Sequence, residues 1–163
     1  MNECAGSSQT PINLNPLSIT EDSTLKYPTF TEKNGGCRQW SQFTDDHAFE
    51  VSLYDPGNVC KNFQVTHEGV VYTLLQMHFH SPSEHTVGFG YSDAEIHLVH
   101  KSDSGKYLVV GVFLDERESS IEGSNNVFLN RLWTAAGVAA GSPGNTTGKH
   151  DISVSRDVIF DLL

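Results

Sequence analysis

Apolar and polar residues alternate in short runs along most of the chain. Phe43 to Leu53, Asn62 to Val65, Val70 to His80, Ala94 to Lys101 and Lys106 to Leu114 carry a period of two, and each predicts a strand. The runs are separated by "DPGN", "HEG", "GFGYSD" and "SDSG", whose Gly, Pro, Asn and Asp favour turns. One segment breaks this rhythm. "NNVFLNRLWTAAGVAA" places Val127, Leu132, Trp133 and Ala136 near helical spacing, and Gly141-Ser142-Pro143-Gly144 then stops it, which predicts a surface helix near residues 125–139. Residues 5–36, rich in Ser, Thr, Pro, Asn and Gly, read as an extended meander with turns at Asn15-Pro16 and Asn34-Gly35-Gly36. The pattern as a whole is that of a mostly β, antiparallel protein.

Composition narrows this to a globular chain. The 163 residues, 37% apolar and 18% charged, suffice for one core, so residues 1–163 are expected to form a single domain. No apolar run reaches the roughly 18–20 residues that span a bilayer, and no charged-then-apolar leader precedes Cys4. A soluble protein is expected, with any export signal removed or never included. The net charge of −10 disfavours nucleic acid and anionic membranes as partners. Oligomeric state is left open.

The cysteine count is three, which is odd. Cys37 and Cys60 each begin a strand-like run, so an antiparallel pairing could bring them within disulfide range, leaving Cys4 over. In an oxidising compartment a leftover cysteine points to an intermolecular bond or to a partner outside this chain. Three buried reduced thiols are the alternative. The sequon Asn145-Thr146-Thr147 adds to the expectation of an extracellular or otherwise oxidising compartment.

Candidate chemistry concentrates in "LLQMHFHSPSEHTV", residues 74–87, which holds three of the eight histidines. On a strand Gln76, His78 and His80 share one face while Met77 and Phe79 take the other. The Cα atoms of His78 and His80 then lie about 6.8 Å apart, a span that one metal ion bridges with nitrogen bonds of about 2.0–2.1 Å. The next strand, "AEIHLVHK", puts Glu95, His97 and Val99 on one face and His100 on the other. Counting around a turn centred near Gly90 sets His97 opposite Ser83, too far from His80 for direct pairing. A bulge or kink at Ser81-Pro82-Ser83 would have to shift the register. Gln76 and Glu95 each precede a histidine by two residues on the same face, where a metal-bound imidazole wants an acceptor for its other N–H. Imidazole clusters favour zinc.

These motifs, together with "SSQTPINL" near the start and "DHAFEV" between, resemble the α-class carbonic anhydrases from about Cys4 to the last residue. The resemblance implies a large, predominantly antiparallel twisted sheet with a few short surface helices. It implies Zn²⁺ held by His78, His80 and His97, with Gln76, Glu84 and Glu95 supporting the site. The implied activity is reversible hydration of CO₂ to bicarbonate by zinc-bound hydroxide. Zinc lowers the pKa of the bound water from about 15.7 to about 7, the figure known for carbonic anhydrase itself rather than one read from this chain. His47 takes the place of the proton shuttle, Val99 and Val109 that of the apolar wall around CO₂, and Glu84 that of a buried glutamate that orients a gatekeeping threonine. His85 and His100 take structural places.

The chain also departs from the family pattern. Ser81-Pro82 replace a tryptophan and glycine, and "DVIFDLL" ends the sequence before the family's Tyr-x-Gly-Ser-Leu-Thr-Thr-Pro-Pro segment. The expectation is therefore a domain incomplete at its C-terminus, lacking the C-terminal strands, the threonine and a cysteine that would pair with Cys4. Two other readings follow: a non-catalytic binding module of the same family or an inactive fragment, and a zinc hydrolase acting on activated esters.

Overall fold

The computed structural model describes residues 7–32, 39–44, 49–53, 63–115, 129 and 150–153. Its main sheet has the order β10 (Tyr107–Leu114), β9 (Ala94–Ser102), β6 (Val70–His80), β4 (Phe49–Leu53), β3 (Gln39–Thr44) and β11 (His150–Ser153), all antiparallel. Beside it, β5 (Phe63–His67) pairs with the first half of β6, and β2 (Thr29–Glu32) pairs with β5. A small second sheet joins β1 (Asn13–Leu14) in parallel to β7 (Thr86–Val87), which forms a hairpin with β8 (Gly90–Tyr91).

The expected strands at 62–65, 70–80, 94–101 and 106–114 are present within a residue or two. The run Phe43 to Leu53 is corrected: it contributes to two strands, β3 and β4, that pair with each other and so run in opposite directions. Asp45 and Asp46 between them are poor strand formers and good turn formers, a signal that outweighs the alternation on either side. The turn at Asn15-Pro16 is there, with Asn15 accepting from Ser18 N at 2.9 Å and, through Oδ1, from Leu17 N at 3.0 Å. Of the expected helix only Leu129 is described, and it is helical. The turn at 34–36 lies outside the described residues.

Two hairpins close through two-residue loops. Glu68 and Gly69 (φ +50° and +76°) link His67 to Val70, and Gly88 and Phe89 (φ +57° and +67°) link Val87 to Gly90. Positive φ at both central positions is the type I′ geometry, whose twist matches that of the strands.

One feature of β6 positions everything that follows. Its register against β9 shifts between Leu74 and Gln76, so Leu75 is a bulge residue. Before the bulge Tyr72 and Leu74 are buried, and after it Met77 is, so the core face changes from even to odd positions. The pairs Met77↔Leu98, Phe79↔Ile96 and Leu74↔His100 put these residues on one face. Of these, Leu74, Met77, Ile96 and Leu98 form the core with Phe63, Val65 and Tyr72, and Met77 and Ile96 are 1% and 0% exposed. Truncating either to Ala would cost about 2–5 kcal/mol. The opposite face receives Gln76, His78 and His80.

Candidate metal centre

His78 sits directly opposite His97 in the β6/β9 ladder, and His80 opposite Glu95. Paired residues project to the same face, so three imidazoles converge from two neighbouring strands. Their ring centroids lie 4.9 Å (His78–His80), 5.1 Å (His78–His97) and 4.8 Å (His80–His97) apart. One ring nitrogen from each falls within 4.8 Å of the other two, so the trio can hold a metal ion.

The expected register is corrected here. His97 faces His78, not Ser83, and the bulge lies at Leu75 rather than at Ser81-Pro82-Ser83. Residues 81–93 do not form a simple hairpin loop. Ser83 N donates to Ser92 O at 3.1 Å, and the β7–β8 hairpin folds over between them, taking up the residues that simple counting assigned to the ladder.

The ring nitrogens are sorted by their partners. His78 Nδ1 lies 2.9 Å from Gln76 Oε1, where the amide oxygen accepts its proton and directs the lone pair of Nε2 toward the cluster. His97 Nε2 lies 3.0 Å from Glu95 Oε1, though without a well-aligned hydrogen bond, and its Nδ1 faces the cluster side 3.8 Å from Glu84 Oε2. His80 Nε2 is buried with no hydrogen-bond partner, 3.4 Å from Glu84 Oε2. A buried polar atom without a partner costs about 1–3 kcal/mol, and an ion in the site would satisfy it. Three neutral nitrogen donors with an orphaned one among them fit zinc or a similar borderline cation.

Glu95 is the hub of the support. It is 1% exposed, and its Oε2 accepts from the backbone N–H groups of Glu84 (3.0 Å) and His85 (2.9 Å). Its Oε1 meets His85 Nδ1 at 2.7 Å as well as His97. Burial pushes its pKa up, but the backbone and side-chain hydrogen bonds from His85, with the His97 ring close by, outweigh burial and hold the carboxyl below its ordinary value. His85 in turn meets Thr10 Oγ1 through Nε2 at 2.9 Å. A chain of contacts thus runs from the N-terminal segment to a candidate ligand. Asn13 supports it from the side, its Oδ1 accepting from Thr86 Oγ1 and Phe89 N.

A pocket of about 620 Å³ opens beside the cluster. Glu84 and His97 contribute polar groups, and Ile12, Leu14, Val109 and Phe113 contribute apolar wall. Val109 pairs with Val99 next to His97, so both valines lie on the site face. His100 is on the other face, 3% exposed, with Nδ1 2.9 Å from Leu98 O. Glu84 departs from the buried position expected of it. Its side chain is 41% exposed, because nothing among the described residues covers it. His47, Cys4, Cys37, Cys60 and Asn145 lie outside the described residues.

Sequence reasoning missed Thr10, Asn13 and Gly111. The first two act across more than seventy residues, and although both lie in "SSQTPINL" nothing local in that motif names their partners. Gly111 did leave a local signal, as an isolated glycine inside the strand "YLVVGVFL", a pattern that marks close approach by another group.

An antiparallel β-sheet on which three histidines from neighbouring strands converge defines a β protein with a candidate metal site. Residues 1–132 match the family model of the eukaryotic-type carbonic anhydrases, and the chain belongs to that family. It is 31% identical over 135 residues to alpha carbonic anhydrase 3 of Arabidopsis thaliana, covering 78% of this chain and 41% of that protein. A carbonic anhydrase of Klebsiella pneumoniae is 41% identical over 69 residues, 42% of this chain and 26% of its own. The chain thus spans less than half the length of the curated relatives it matches. The α-carbonic anhydrase of Thermovibrio ammonificans, solved with the inhibitor sulfanilamide, matches with a TM-score of 0.71 and 24% identity over 93% of this chain and 58% of its own. Dioscorin complexed with ascorbate matches with a TM-score of 0.70 and 23% identity, covering 90% of this chain and 54% of that one. At those identities the likeness is one of fold. Among the described residues no helix is long and apolar enough to cross a membrane.

Proposed function

We propose that the chain is the zinc-binding part of an enzyme that hydrates CO₂ reversibly to bicarbonate and a proton. The observation that carries this reading is the convergence of His78, His80 and His97 around a buried, unpartnered His80 Nε2. Bound zinc supplies a Lewis acid that makes a water nucleophilic near neutral pH. His78, His80 and His97 would hold the ion. Gln76 and Glu95 fix the ring orientations and tautomers of His78 and His97. Val99 and Val109 offer CO₂ an apolar surface two residues along from His97 and Gly111, and the pocket beside the cluster gives access. His47, whose imidazole changes charge near neutral pH, moves the released proton to buffer. The cysteines and the sequon support an oxidising compartment as part of the same proposal.

Metal analysis together with a CO₂-hydration assay tests this. About one zinc per chain is expected, with any single His→Ala change at 78, 80 or 97 lowering occupancy strongly. Full stoichiometry in the triple variant would sink the assignment. His47→Ala should slow turnover at low buffer concentration with kcat/KM nearly unchanged, and an equal fall in both would remove the shuttle role.

Binding without turnover is favoured by one observation. Glu84 Oε2 stands 3.4 Å from His80 Nε2 and 3.8 Å from His97 Nδ1, where the carboxylate could itself serve as a ligand beside the histidines. A protein that holds stoichiometric zinc yet neither hydrates CO₂ nor cleaves an activated ester would decide for that reading.

A further inference from the structure

We propose that Gly111 is a positioning residue for the metal centre, because the missing side chain there is the space in which the Glu95 carboxylate holds His97. The proposal rests on the zinc reading above. Gly111 stands opposite His97 in the β9/β10 ladder and faces the same side. A Cβ built on it would lie 2.6 Å from Glu95 Oε1, 3.7 Å from Glu95 Cδ and 3.8 Å from His97 Cδ2. The first of these is a contact that real Cβ atoms essentially never make.

Backbone conformation does not require glycine at this position. The described glycines with positive φ are Gly69, Gly88 and Gly105, and Gly111 is a regular ladder residue. Glycine inside a strand is less favourable than alanine, so its presence calls for a reason of space. The group that takes the space is the oxygen that His85 and His97 share.

That oxygen has no slack. Oε2 is held by two backbone N–H groups, Oε1 by His85 at 2.7 Å, and the residue is 1% exposed, so water cannot replace a lost contact. A methyl group at 111 must therefore move Oε1 away from His85 or from His97. Either shift disturbs the carboxylate that stands 3.0 Å from His97 Nε2 and favours a proton there, and a proton on Nδ1 would block the nitrogen that faces the cluster. Supporting partners of metal-bound histidines are typically worth about 10–100-fold in metal affinity.

The test is a double-mutant cycle on metal affinity, read by competition with a chromophoric chelator and by the visible spectrum of the Co²⁺-loaded protein. Gly111→Ala is expected to weaken binding by about 10–100-fold and to alter the cobalt spectrum as Glu95→Ala does. In the Glu95→Ala background, Gly111→Ala should change neither, because the displaced oxygen is gone. Additive losses, or an unaltered Gly111→Ala protein, overturn the proposal. Should Gly111→Ala fail to fold, the double variant is expected to fold and to bind metal as Glu95→Ala does. A double variant that also fails to fold overturns the proposal, since glycine would then serve packing alone. A wild-type protein whose metal uptake ignores His78→Ala overturns the zinc reading and this proposal together. Additive losses in a wild type that does depend on His78 strike only the role of Gly111.

Discussion

His100 lies three residues from the candidate ligand His97 on the opposite face of β9, and its environment makes it a different kind of group. Burial lowers its pKa from the ordinary 6.5, and the carbonyls of Leu98 and Leu108 offset this only in part. The folded protein therefore keeps it neutral where the unfolded chain would take a proton. Above about pH 6.5 both states are neutral and stability is unaffected. As pH falls below that value the unfolded state gains a proton the folded state refuses, and stability declines until the folded pKa is reached. Urea melts of metal-free protein between about pH 7.5 and 5 should show this slope, and His100→Gln should flatten it. An unchanged slope would place the titration elsewhere. At this scale much was legible. Period-two counting separates His97 from His100, and it pairs Gln76 with His78, because both facts are local. The exposure of Glu84 was not, since burial depends on what other segments cover.

At the scale of elements, strand β6 shows what counting cannot see. "VVYTLLQMHFH" read without a break puts Tyr72, Leu74, Gln76, His78 and His80 on one face. The bulge at Leu75 divides that set, sending Tyr72 and Leu74 into the core and the histidines out of it. It falls where the neighbour of β6 changes from β5, paired through Thr73, to β4, paired from Gln76. Adjacent Leu74-Leu75 was the sequence's only trace of it. Leu75 itself is 40% exposed, so Leu75→Ala should be mild, within about 1 kcal/mol. Deleting Leu75 should be severe. With one residue fewer, either His78 and His80 turn into the core or Tyr72 and Leu74 turn out of it. Loss of zinc uptake in the deletion, with uptake retained in Leu75→Ala, is the expected result. A deletion variant that still binds zinc would show that the ladder reforms around the histidines. The strands β1, β7 and β8 escaped the sequence reading for a simpler reason. Two residues are too few to show a period, and these strands exist because Asn13 and Ser83 bind across them.

Across the whole molecule, the candidate ligands are close in sequence while part of their support is not. His78, His80 and His97 belong to adjacent strands, but Thr10 reaches His85 from 75 positions away, and Asn13 reaches Thr86 and Phe89 from 73 and 76. Contacts of that separation carry a loop-closure cost and form late. A chain leaving the ribosome presents Thr10 first, yet the residue cannot dock until His85 has followed and the β7–β8 hairpin has folded. Metal capture should therefore occur in two stages during refolding: a weak one when β6 and β9 pair, and a tight one when the N-terminal segment closes over His85. Stopped-flow refolding against a fluorescent chelator should resolve both stages, and removal of residues 1–14 should abolish the second while sparing the first. A single stage in both proteins would refute the order. If the two stages are found, the interval between them is a period in which the growing protein can give its zinc back, so the supply of metal during synthesis would matter as much as the final affinity.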